Sequence, residues 1–546
     1  MLERLSHAVM LLWGWRRAAV VAGAGALGAL SLAPVHAFPA LWVSLPVLVW
    51  ALDGAVDLGD GRRLARLGPA FMVGWAYGFG WFLAGLWWIG AAFLVDVAEF
   101  GWLLPIALTV MSVGLGLFHG LAAALARLLW SDGPARIAAL AIGFFVADWL
   151  RGHVLTGFPW NLLGYGLTAN EPMMQIASVV GGYGTTLLAV LIFAAPAVMA
   201  RGAAADRRYA AFAATLLVAV VGWGVYRLQT FPTAFVPDLH FRIVQPAIDQ
   251  WAKWRPEFKA ETVERYVELS SRPAKDAAGA PLPEGLRAGA GARGIPGVTH
   301  LVWPESAFPF LLTAEPWALS TIAQLIGERT TLLTGAVRAE SPAAGEVRTR
   351  YYNSIYALGP GAEILAAYDK VHLVPFGEYL PLQEFAESLG LRQLTKLRGG
   401  YSAGPARRTV EIPGLPPFQP LVCYEIVFPG EVVDLAARPQ WMLNVTNDAW
   451  YGMTPGPWQH LHQTRLRAVE EGLPVVRAAN NGISAMIDAR GRLVAHLTLG
   501  AVGIVDADLP VADEPTIAAR WADLVCAVLV VVLFIWATYR RIRFAL

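Results

Sequence analysis

The stretch PAFMVGWAYGFGWFLAGLWWIGAAFLV, residues 69–95, contains no charged side chain. A helix that crosses the hydrocarbon core of a bilayer needs about 20 consecutive residues that are mostly apolar. The stretch is long enough to meet this requirement, so it predicts a membrane-spanning helix and argues against a purely soluble protein.

The composition of the whole chain agrees with a membrane protein. Of its 546 residues, 56% are hydrophobic and only 15% are charged, whereas a soluble domain typically carries about 25% charged residues. The formal net charge of +1 removes the main electrostatic argument for nucleic-acid binding, so we expect no nucleic-acid partner. The two cysteines, Cys423 and Cys526, are too few for a disulfide scaffold or a cysteine-rich zinc site.

Apolar runs predict seven membrane helices before residue 230 and an eighth near the C-terminus. The first two runs are short for a span. The eight spans are expected at residues 18–33, 38–53, 69–94, 102–126, 136–150, 172–200, 209–227 and 524–539.

The segment between the seventh and eighth runs differs from both. Residues 236–512 have ordinary charge density, short alternating apolar runs and many Pro/Gly turns, which is typical of a globular α/β domain. We therefore expect a seven-helix transmembrane domain in 1–235, the α/β domain in 236–512, and a last transmembrane helix with a short tail in 513–546. Residues 273–297, rich in Ala, Gly and Pro, predict a surface insertion.

The distribution of arginine predicts the orientation of the chain, because short cytoplasmic loops carry an excess of Lys and Arg. If the N-terminus is cytoplasmic, fourteen arginines fall on that side, whereas the other side has little beyond Arg151 and Arg227. This orientation places residues 236–512 outside the cytoplasm and both termini inside it. The fourteen are Arg4, Arg16, Arg17, Arg62, Arg63, Arg66, Arg127, Arg136, Arg201, Arg207, Arg208, Arg540, Arg541 and Arg543.

Three reactive residues lie at or near the ends of strand-like runs in the α/β domain: Glu305, Lys370 and Cys423. A thiol near neutral pH needs a base or a neighbouring cation to become nucleophilic, and a carboxylate could accept its proton. An ammonium could stabilise the oxyanion that forms when the sulfur attacks a carbonyl. Each residue alone has an ordinary interpretation, since a single Cys is usually a small buried hydrophobe and a loop Glu or Lys is usually solvated.

Several other motifs favour structural interpretations. Gly23, Gly25 and Gly28 match a dinucleotide fingerprint, but they lie within an apolar run, where small residues let membrane helices pack closely. His460 and His462 are two residues apart and would point to different faces of a helix, so they predict no metal site. His119 lies in the middle of a span and is expected to form an interhelical hydrogen bond. We predict neither a metal nor another cofactor.

Motifs at several separate places resemble one family. These motifs are Trp303-Pro304-Glu305, Tyr368-Asp369-Lys370 with the following block from Val371 to Tyr379, Cys423-Tyr424-Glu425, the block from Asn447 to Gly452, the block from Arg477 to Gly482, and the block from Gly157 to Tyr165. With them the chain is similar to the apolipoprotein N-acyltransferases, the membrane branch of the nitrilase (carbon–nitrogen hydrolase) superfamily.

The resemblance implies a multi-pass helical membrane protein that carries a nitrilase-like α-β-β-α sandwich. It implies an acyltransferase that moves an acyl chain from a phospholipid to the N-terminal amine of a diacylglyceryl-cysteine apolipoprotein, through a cysteine thioester. Cys423 would be the nucleophile, Glu305 the general base and Lys370 the oxyanion stabiliser. Glu378 would position the lysine and the substrate, and Trp254, Tyr424 and Glu425 match positions associated with substrate handling.

The resemblance also implies the partners and the location. The acyl donor would be phosphatidylethanolamine, the acceptor a diacylated apolipoprotein, and the setting the bilayer of a bacterial inner membrane with the catalytic domain in the periplasm. We expect a monomer. Residues 379–401 could form a lid or membrane-dipping arm, or an ordinary amphipathic surface helix.

Two other classes of protein remain open from the sequence. A membrane-tethered nitrilase-type amidohydrolase would use the same three residues with water as the acceptor. A transporter or scaffold would only bind through its α/β domain, although the few charges within the spans argue against transport.

Overall fold

The computed structural model describes residues 1–55, 67–200, 202–250, 255–273, 295–342, 349–381 and 400–545. The described part of the chain begins with a helical block, continues through two β-sheets with flanking helices, and ends in a long helix. The predicted insertion at residues 273–297 and the predicted lid at 379–401 fall mostly outside the described residues, as does Trp254.

Helices of nine residues or more are numbered here in chain order. They are α1 (Leu2–Met10), α2 (Gly14–Ala29), α3 (Leu41–Asp53), α4 (Leu67–Leu86), α5 (Leu104–Leu128), α6 (Ala135–His153), α7 (Ala177–Phe193), α8 (Ala204–Thr230), α9 (Lys259–Ser270), α10 (Pro316–Ile326), α11 (Pro455–Glu471) and α12 (Ile517–Ala545). Shorter α-helical pieces lie at Val97–Phe100, Glu171–Met174 and Pro196–Met199.

Five helical stretches of the described chain are long and apolar enough to cross a membrane. They are Leu67–Leu94, Val97–Leu128, Ala177–Met199, Ala204–Thr230 and Ile517–Ile542. These correspond to five of the eight predicted spans. The other three predicted spans are helical but shorter or less apolar, and they correspond to α2, α3 and α6 of 16, 13 and 19 residues.

Small residues allow α2 to pack closely against α3 and α4. A Cβ atom at Gly25 would lie 2.0 Å from the carbonyl oxygen of Tyr77, and one at Gly28 would lie 2.5 Å from Oγ of Ser44. These approaches confirm that Gly25 and Gly28 serve helix packing, whereas nothing lies within 4 Å of a Cβ atom at Gly23.

The expectation for His119 is wrong. Its ring is fully buried among the aromatic rings of Tyr77, Phe82 and Phe144, and neither ring nitrogen has a hydrogen-bond partner among the described residues. The rings of Tyr77, Phe82 and Phe144 surround it with aromatic carbon, and no donor or acceptor of the described residues reaches its nitrogens.

A buried ion pair at the end of α6 orients the loop that follows. Nη2 of Arg151 lies 2.8 Å from Oδ1 of Asp148, and both side chains are fully buried. The Arg151 guanidinium also donates to the carbonyl oxygens of Phe158 and Trp160, at 2.5 and 2.7 Å. This pair therefore fixes the loop around Trp160, which faces the α/β domain.

Two six-stranded sheets form the α/β domain, in the orders β12-β1-β2-β3-β4-β5 and β11-β10-β9-β8-β7-β6. Strands β1–β3 and β7–β9 run parallel, and the outer pairings are antiparallel. The strands are β1 (Phe235–Gln245), β2 (His300–Trp303), β3 (Thr331–Glu340), β4 (Arg350–Leu358), β5 (Ile364–Asp369), β6 (Val410–Ile412), β7 (Leu415–Val422), β8 (Trp441–Thr446), β9 (Val475–Ala479), β10 (Ala485–Ile487), β11 (Leu493–His496) and β12 (Gly503–Pro510).

Both faces of the central strands are buried, which explains their continuous apolar runs. In β2, Val302 belongs to the apolar cluster between the two sheets, whereas Leu301 and Trp303 pack with side chains of α9 and α10. In β8, Leu443 faces the inter-sheet cluster and Met442 packs with α11 and the membrane helices. The second sheet therefore lies, through α11, next to the block of helices α1–α8 and α12, which we call the membrane block.

Candidate active site

Cys423 begins a tight turn directly after β7. The turn Cys423–Val427 is a short 3-10 helix, and Cys423 has a backbone φ of +52°. Only a small fraction, 6%, of the cysteine is exposed. A left-handed conformation is unusual for a residue with a side chain, and such outliers concentrate at functional sites.

Glu425 connects the cysteine turn to the segment from Lys370 to His372 that follows β5, which we call the lysine loop. Its Oε2 accepts the backbone N–H of Val422 at 2.8 Å, and its Oε1 accepts the N–H groups of Val371 at 2.9 Å and His372 at 3.2 Å. The hydroxyl of Tyr368 also donates to Oε1, at 3.0 Å. Both oxygens of Glu425 are therefore used inside the protein, although the resemblance associates this position with substrate handling.

Glu305 lies just past β2, in a turn that packs tightly on β3. A Cβ atom at Gly335 would lie 2.6 Å from Cα of Glu305, so only glycine permits this approach. Oε1 of Glu305 accepts a hydrogen bond of 2.7 Å from Nδ2 of Asn353, a buried residue of β4. The turn and the amide together fix the direction of the carboxylate.

Lys370 follows β5 and forms a buried ion pair. Its Nζ lies 2.9 Å from Oε1 and 2.8 Å from Oε2 of Glu378. Oε1 of Glu378 also accepts from Nδ2 of Asn353, at 3.0 Å. Burial alone would lower the pKa of Lys370, but the charges of Glu378 and Glu305 raise it above its ordinary value, so the ammonium stays charged at neutral pH.

The thiol of Cys423 lies within electrostatic reach of this group. Burial, and then the negative charge of Glu305, raise the pKa of Cys423 well above its ordinary value, whereas Lys370 and a hydrogen bond from Thr446 oppose the rise. The thiol is therefore protonated at rest and needs a base when it attacks. The structure thus places Glu305, Lys370 and Cys423 within electrostatic reach of one another.

The site lies against the membrane block. The hydroxyl of Tyr424 donates to the carbonyl oxygen of Gly157 at 3.0 Å, and its ring stacks on Trp160 with the planes 9° apart. On the lysine loop, Nε2 of His372 lies 2.5 Å from the carbonyl oxygen of Thr156. One wall of the site is therefore built by the loop that follows α6.

The helix α11 forms a second contact with the membrane block. Oε1 of Gln459 accepts the indole N–H groups of Trp88 and Trp160, at 3.0 and 2.9 Å. Its Nε2 donates to the carbonyl oxygens of Ala33 and Gly85, at 3.3 and 3.1 Å. One glutamine therefore connects α11 to three segments of the membrane block.

A possible metal-binding group occurs in the described chain, formed by Cys423, Asp448 and His460. One ligand atom from each lies within 4.8 Å of the others. However, the guanidinium of Arg477 lies 2.7 Å from Oδ2 of Asp448. Burial opposes ionisation of Asp448, but Arg477, His460 and Thr446 lower its pKa from 3.8 to about 2. A carboxylate already paired with a guanidinium is a poor cation ligand, so the group does not fit a metal.

Sequence reasoning missed several residues of the site. Asn353, which bridges the two glutamates, was not predicted, and its signal is an amide within the buried run of β4. His460 was considered only as a metal ligand, whereas its ring lies 3.1 Å from the carbonyl oxygen of Cys423. His462 lies elsewhere, with Nε2 2.9 Å from the hydroxyl of Thr168.

Two family models match the chain. Residues 24–195 match the family described as "Apolipoprotein N-acyltransferase N-terminal domain", and residues 242–517 match "Carbon-nitrogen hydrolase". A solved amidase from Nesterenkonia sp. is 18% identical over 54% of this chain and 98% of its own, with a TM-score of 0.35.

Curated relatives match nearly the whole chain. A protein of Rhodopseudomonas palustris named apolipoprotein N-acyltransferase is 46% identical over 543 residues, which cover 99% of this chain and 98% of the relative. The protein of the same name in Bradyrhizobium diazoefficiens is 46% identical over 545 residues, with the same coverage. Identity of this extent, with both domain matches, shows that the chain belongs to the apolipoprotein N-acyltransferase family.

Proposed function

We propose that Cys423 carries an acyl chain from a phospholipid to the N-terminal amine of a diacylglyceryl-cysteine apolipoprotein, as a thioester. One observation carries the proposal: Glu305, Asn353, Glu378 and Lys370 form a continuous hydrogen-bonded chain beside the buried thiol. As a member of its family, the protein is an acyltransferase.

In the first half-reaction, the carboxylate of Glu305 accepts the thiol proton while Sγ of Cys423 attacks the ester carbonyl of the phospholipid. The ammonium of Lys370 stabilises the oxyanion. When the tetrahedral intermediate collapses, the C–O bond breaks and the leaving alkoxide takes the proton from Glu305. The products are a lysophospholipid and the thioester.

In the second half-reaction, the lipoprotein amine attacks the thioester carbonyl. Glu305 accepts a proton from the amine, the C–S bond breaks, and the leaving thiolate of Cys423 takes that proton from Glu305, which restores the thiol. Water would hydrolyse the thioester before the acyl chain reached the lipoprotein, so the site must exclude water. The aromatic wall of Phe158, Trp160 and Tyr424 next to the nucleophile supports this requirement.

The supporting residues have distinct proposed roles. Glu378 positions the ammonium of Lys370 through its two oxygens. Tyr424 fixes the cysteine turn against the membrane block, and Glu425 fixes it against the lysine loop. Trp254 is proposed as a substrate contact from the family resemblance alone.

We propose eight membrane spans, with the α/β domain on the periplasmic side of a bacterial inner membrane and both termini in the cytoplasm. Arg127 and Arg136, which flank the α5–α6 loop, line one cavity together with Glu3 near the N-terminus and Arg541 near the C-terminus. The chain directions of α6 and α12 place this cavity at the end of the bundle away from Cys423. This clustering supports the orientation that the arginine counts predict.

The proposed domain extents are residues 1–235, 236–512 and 513–546, with the α/β domain folded as an α-β-β-α sandwich. The apolar cluster between the sheets and the packing of α9, α10 and α11 on their outer faces support these four layers.

From the family resemblance, we propose phosphatidylethanolamine as the donor and a monomer as the active form.

We also propose that the acyl donor enters the site from the bilayer. Two exposed apolar side chains support such an entrance: Leu155 and Phe376, which are 97% and 58% exposed. They lie on the two segments that the contact between His372 and Thr156 joins. Apolar side chains in such positions fit contact with lipid.

The test uses the purified full-length protein in detergent with phospholipid labelled in its acyl chain. We expect acyl label on the wild-type protein that hydroxylamine removes, and transfer of that label to a diacylated lipopeptide added afterwards. Cys423→Ala should carry no such label. A hydroxylamine-sensitive label on Cys423→Ala would show that the nucleophile is another residue, and release of free fatty acid without transfer would favour the amidohydrolase.

A further inference from the structure

The carbonyl oxygen of Cys423 is contacted by two buried side chains. Nδ2 of Asn444 lies 3.4 Å from it, and Nε2 of His460 lies 3.1 Å from it. A left-handed backbone costs a non-glycine residue roughly 1–2 kcal/mol, and such strain persists only where the surroundings maintain it. The two contacts are in the right place to maintain the φ of +52° at Cys423.

A single arginine orients both side chains from behind. Nη1 of Arg477 donates to Oδ1 of Asn444, and Nη2 lies 3.2 Å from Nδ1 of His460 and 2.7 Å from Oδ2 of Asp448. Oδ1 of Asp448 lies 2.9 Å from Nδ1 of the same histidine. Asn444, His460 and Arg477 are all fully buried, and we call these three residues the carbonyl clamp.

The protonation of His460 is compatible with this contact in both charge states. Donation to the carbonyl of Cys423 requires a proton on Nε2. In the neutral ring, Nδ1 then accepts from Arg477 and gives up the hydrogen bond to Oδ1 of Asp448, whereas in the charged ring it donates to Asp448. Burial, followed by the charge of Arg477, lowers the pKa of His460, which favours the neutral form.

We propose that His460 is a positioning residue for the acyl transfer. Through Nε2 it fixes the carbonyl of Cys423 and so keeps the turn in the conformation that directs Sγ toward Glu305 and Lys370. This inference rests on the proposed function, in which Cys423 is the nucleophile. A displacement of about 1 Å at a reacting atom can cost roughly 100-fold in rate.

Two substitutions at position 460 separate the clamp from general packing. The amide nitrogen of glutamine reaches approximately the place of Nε2, whereas that of asparagine reaches only the place of Nδ1. His460→Gln therefore keeps a donor for the Cys423 carbonyl, and His460→Asn keeps only the contact with Asp448 and Arg477. Both variants are made with Cys526→Ala, so that Cys423 is the single remaining thiol.

The measurement is the single-turnover rate of thioester formation at increasing concentrations of labelled phosphatidylethanolamine. We expect His460→Asn to lower the maximal rate roughly 10- to 100-fold at an unchanged half-saturating concentration, and His460→Gln to stay within about threefold of the parent. Iodoacetamide should likewise modify Cys423 more slowly in His460→Asn than in His460→Gln. Equal rates in the two variants, whether both high or both low, would overturn the proposal.

Further controls keep this outcome separate from a failure of the proposed function. If the parent protein forms no thioester, the nucleophile assignment fails, whereas a fast His460→Asn with a normal parent refutes only the clamp. If neither His460 variant is recovered from membranes, the single-turnover rate of thioester formation is measured for Asn444→Ala instead, and that rate tests the clamp. A loss of at least about tenfold in maximal rate supports the clamp, and a parental rate overturns it.

Discussion

Nδ2 of Asn353 lies 2.7 Å from Oε1 of Glu305. The same nitrogen lies 3.0 Å from Oε1 of Glu378, so one neutral amide donates a hydrogen to each of two carboxylates. Without this shared donor the two negative charges would face each other with only Lys370 between them. The amide therefore permits a base and a lysine-positioning carboxylate to occupy one buried site.

Asn353→Ala should lower kcat/KM for acyl transfer roughly 10- to 100-fold, because a hydrogen bond to a charged group contributes about 1.5–3 kcal/mol. Asn353→Asp should lower it further, since it adds a third carboxylate. The measurement is steady-state transfer of labelled acyl chain to a diacylated lipopeptide.

The matched control for Asn353 is its neighbour in β4. Ser354→Ala removes a hydroxyl that donates to Asp369 at 2.6 Å and does not contact the two glutamates. It should keep close to wild-type activity. Full activity in Asn353→Ala would show that acyl transfer does not depend on the amide shared by the two glutamates.

The sequence was sufficient for the residues whose chemistry is local. Cys423 and Glu305 directly follow apolar runs that form β7 and β2, so their positions at strand ends were predictable. Asn353 and Arg477 could not be assigned roles in the same way. Asn353 lies in β4, which is separated in the sheet by β3 from β2, the strand that Glu305 follows, and β9 meets β8 only through long-range pairing. Local periodicity carries no information about such partners.

In the membrane block, too, the sequence reveals local properties but not the long-range partners of a residue. The apolar run at residues 69–95 was recognisable because length and hydropathy are local properties. The environment of His119 could not be recognised in this way, because it is formed by other helices, which present aromatic carbon instead of a hydrogen-bond partner. Glu425 likewise lies where four donors converge from β5, from the loop that follows β5 and from the end of β7, which no spacing rule reveals.

Gly335→Ala should reduce both activity and stability. The added Cβ would lie 2.6 Å from Cα of Glu305 and 2.7 Å from the carbonyl oxygen of Pro304, and backbone atoms cannot move aside cheaply. The turn that carries Glu305 must therefore shift. We expect a loss of activity of at least about tenfold and a lower midpoint of thermal unfolding in detergent.

Gly222→Ala is the matched control for this change. Nothing lies within 4 Å of a Cβ at Gly222, and its backbone is helical in α8. Because alanine favours helix over glycine, activity and stability should be unchanged or slightly higher. A Gly335→Ala protein as active as Gly222→Ala would contradict the packing argument.

Asp448 should make stability depend on pH in the acid range. Its pKa is lowered from 3.8 to about 2 in the folded protein, so its contribution is complete above about pH 4 and disappears as pH falls through about 2. The pH-dependent part amounts to about 2 kcal/mol. The difference in thermal midpoint between wild type and Asp448→Asn should therefore narrow between pH 4 and pH 2.

Asp508→Asn serves as the control for this titration. Its side chain is 48% exposed and pairs with His240 at the surface, so its effect on the midpoint should be small throughout. A difference between wild type and Asp448→Asn that stays constant down to pH 2 would mean that Asp448 does not titrate as described.

Gln459→Leu should loosen the α/β domain from the membrane block. The change leaves the indole N–H of Trp160 without its acceptor and removes one of the two acceptors of Trp88. A buried donor without a partner costs about 1–3 kcal/mol, so the thermal midpoint should fall by several degrees. Acyl transfer should fall as well, because His460 follows in the same helix and contacts the Cys423 carbonyl.

Gln463→Leu tests whether this loss is specific, since Gln463 lies one turn later in α11. It is also buried, but its side-chain oxygen has no hydrogen-bond partner among the described residues, and its amide makes a single long contact of 3.4 Å with the carbonyl of Gln459. Replacing a poorly satisfied amide with an apolar side chain of similar size should be nearly neutral. If both glutamine variants lost stability equally, the loss would come from α11 packing in general, and Gln459 would not be the residue that joins the two parts of the protein.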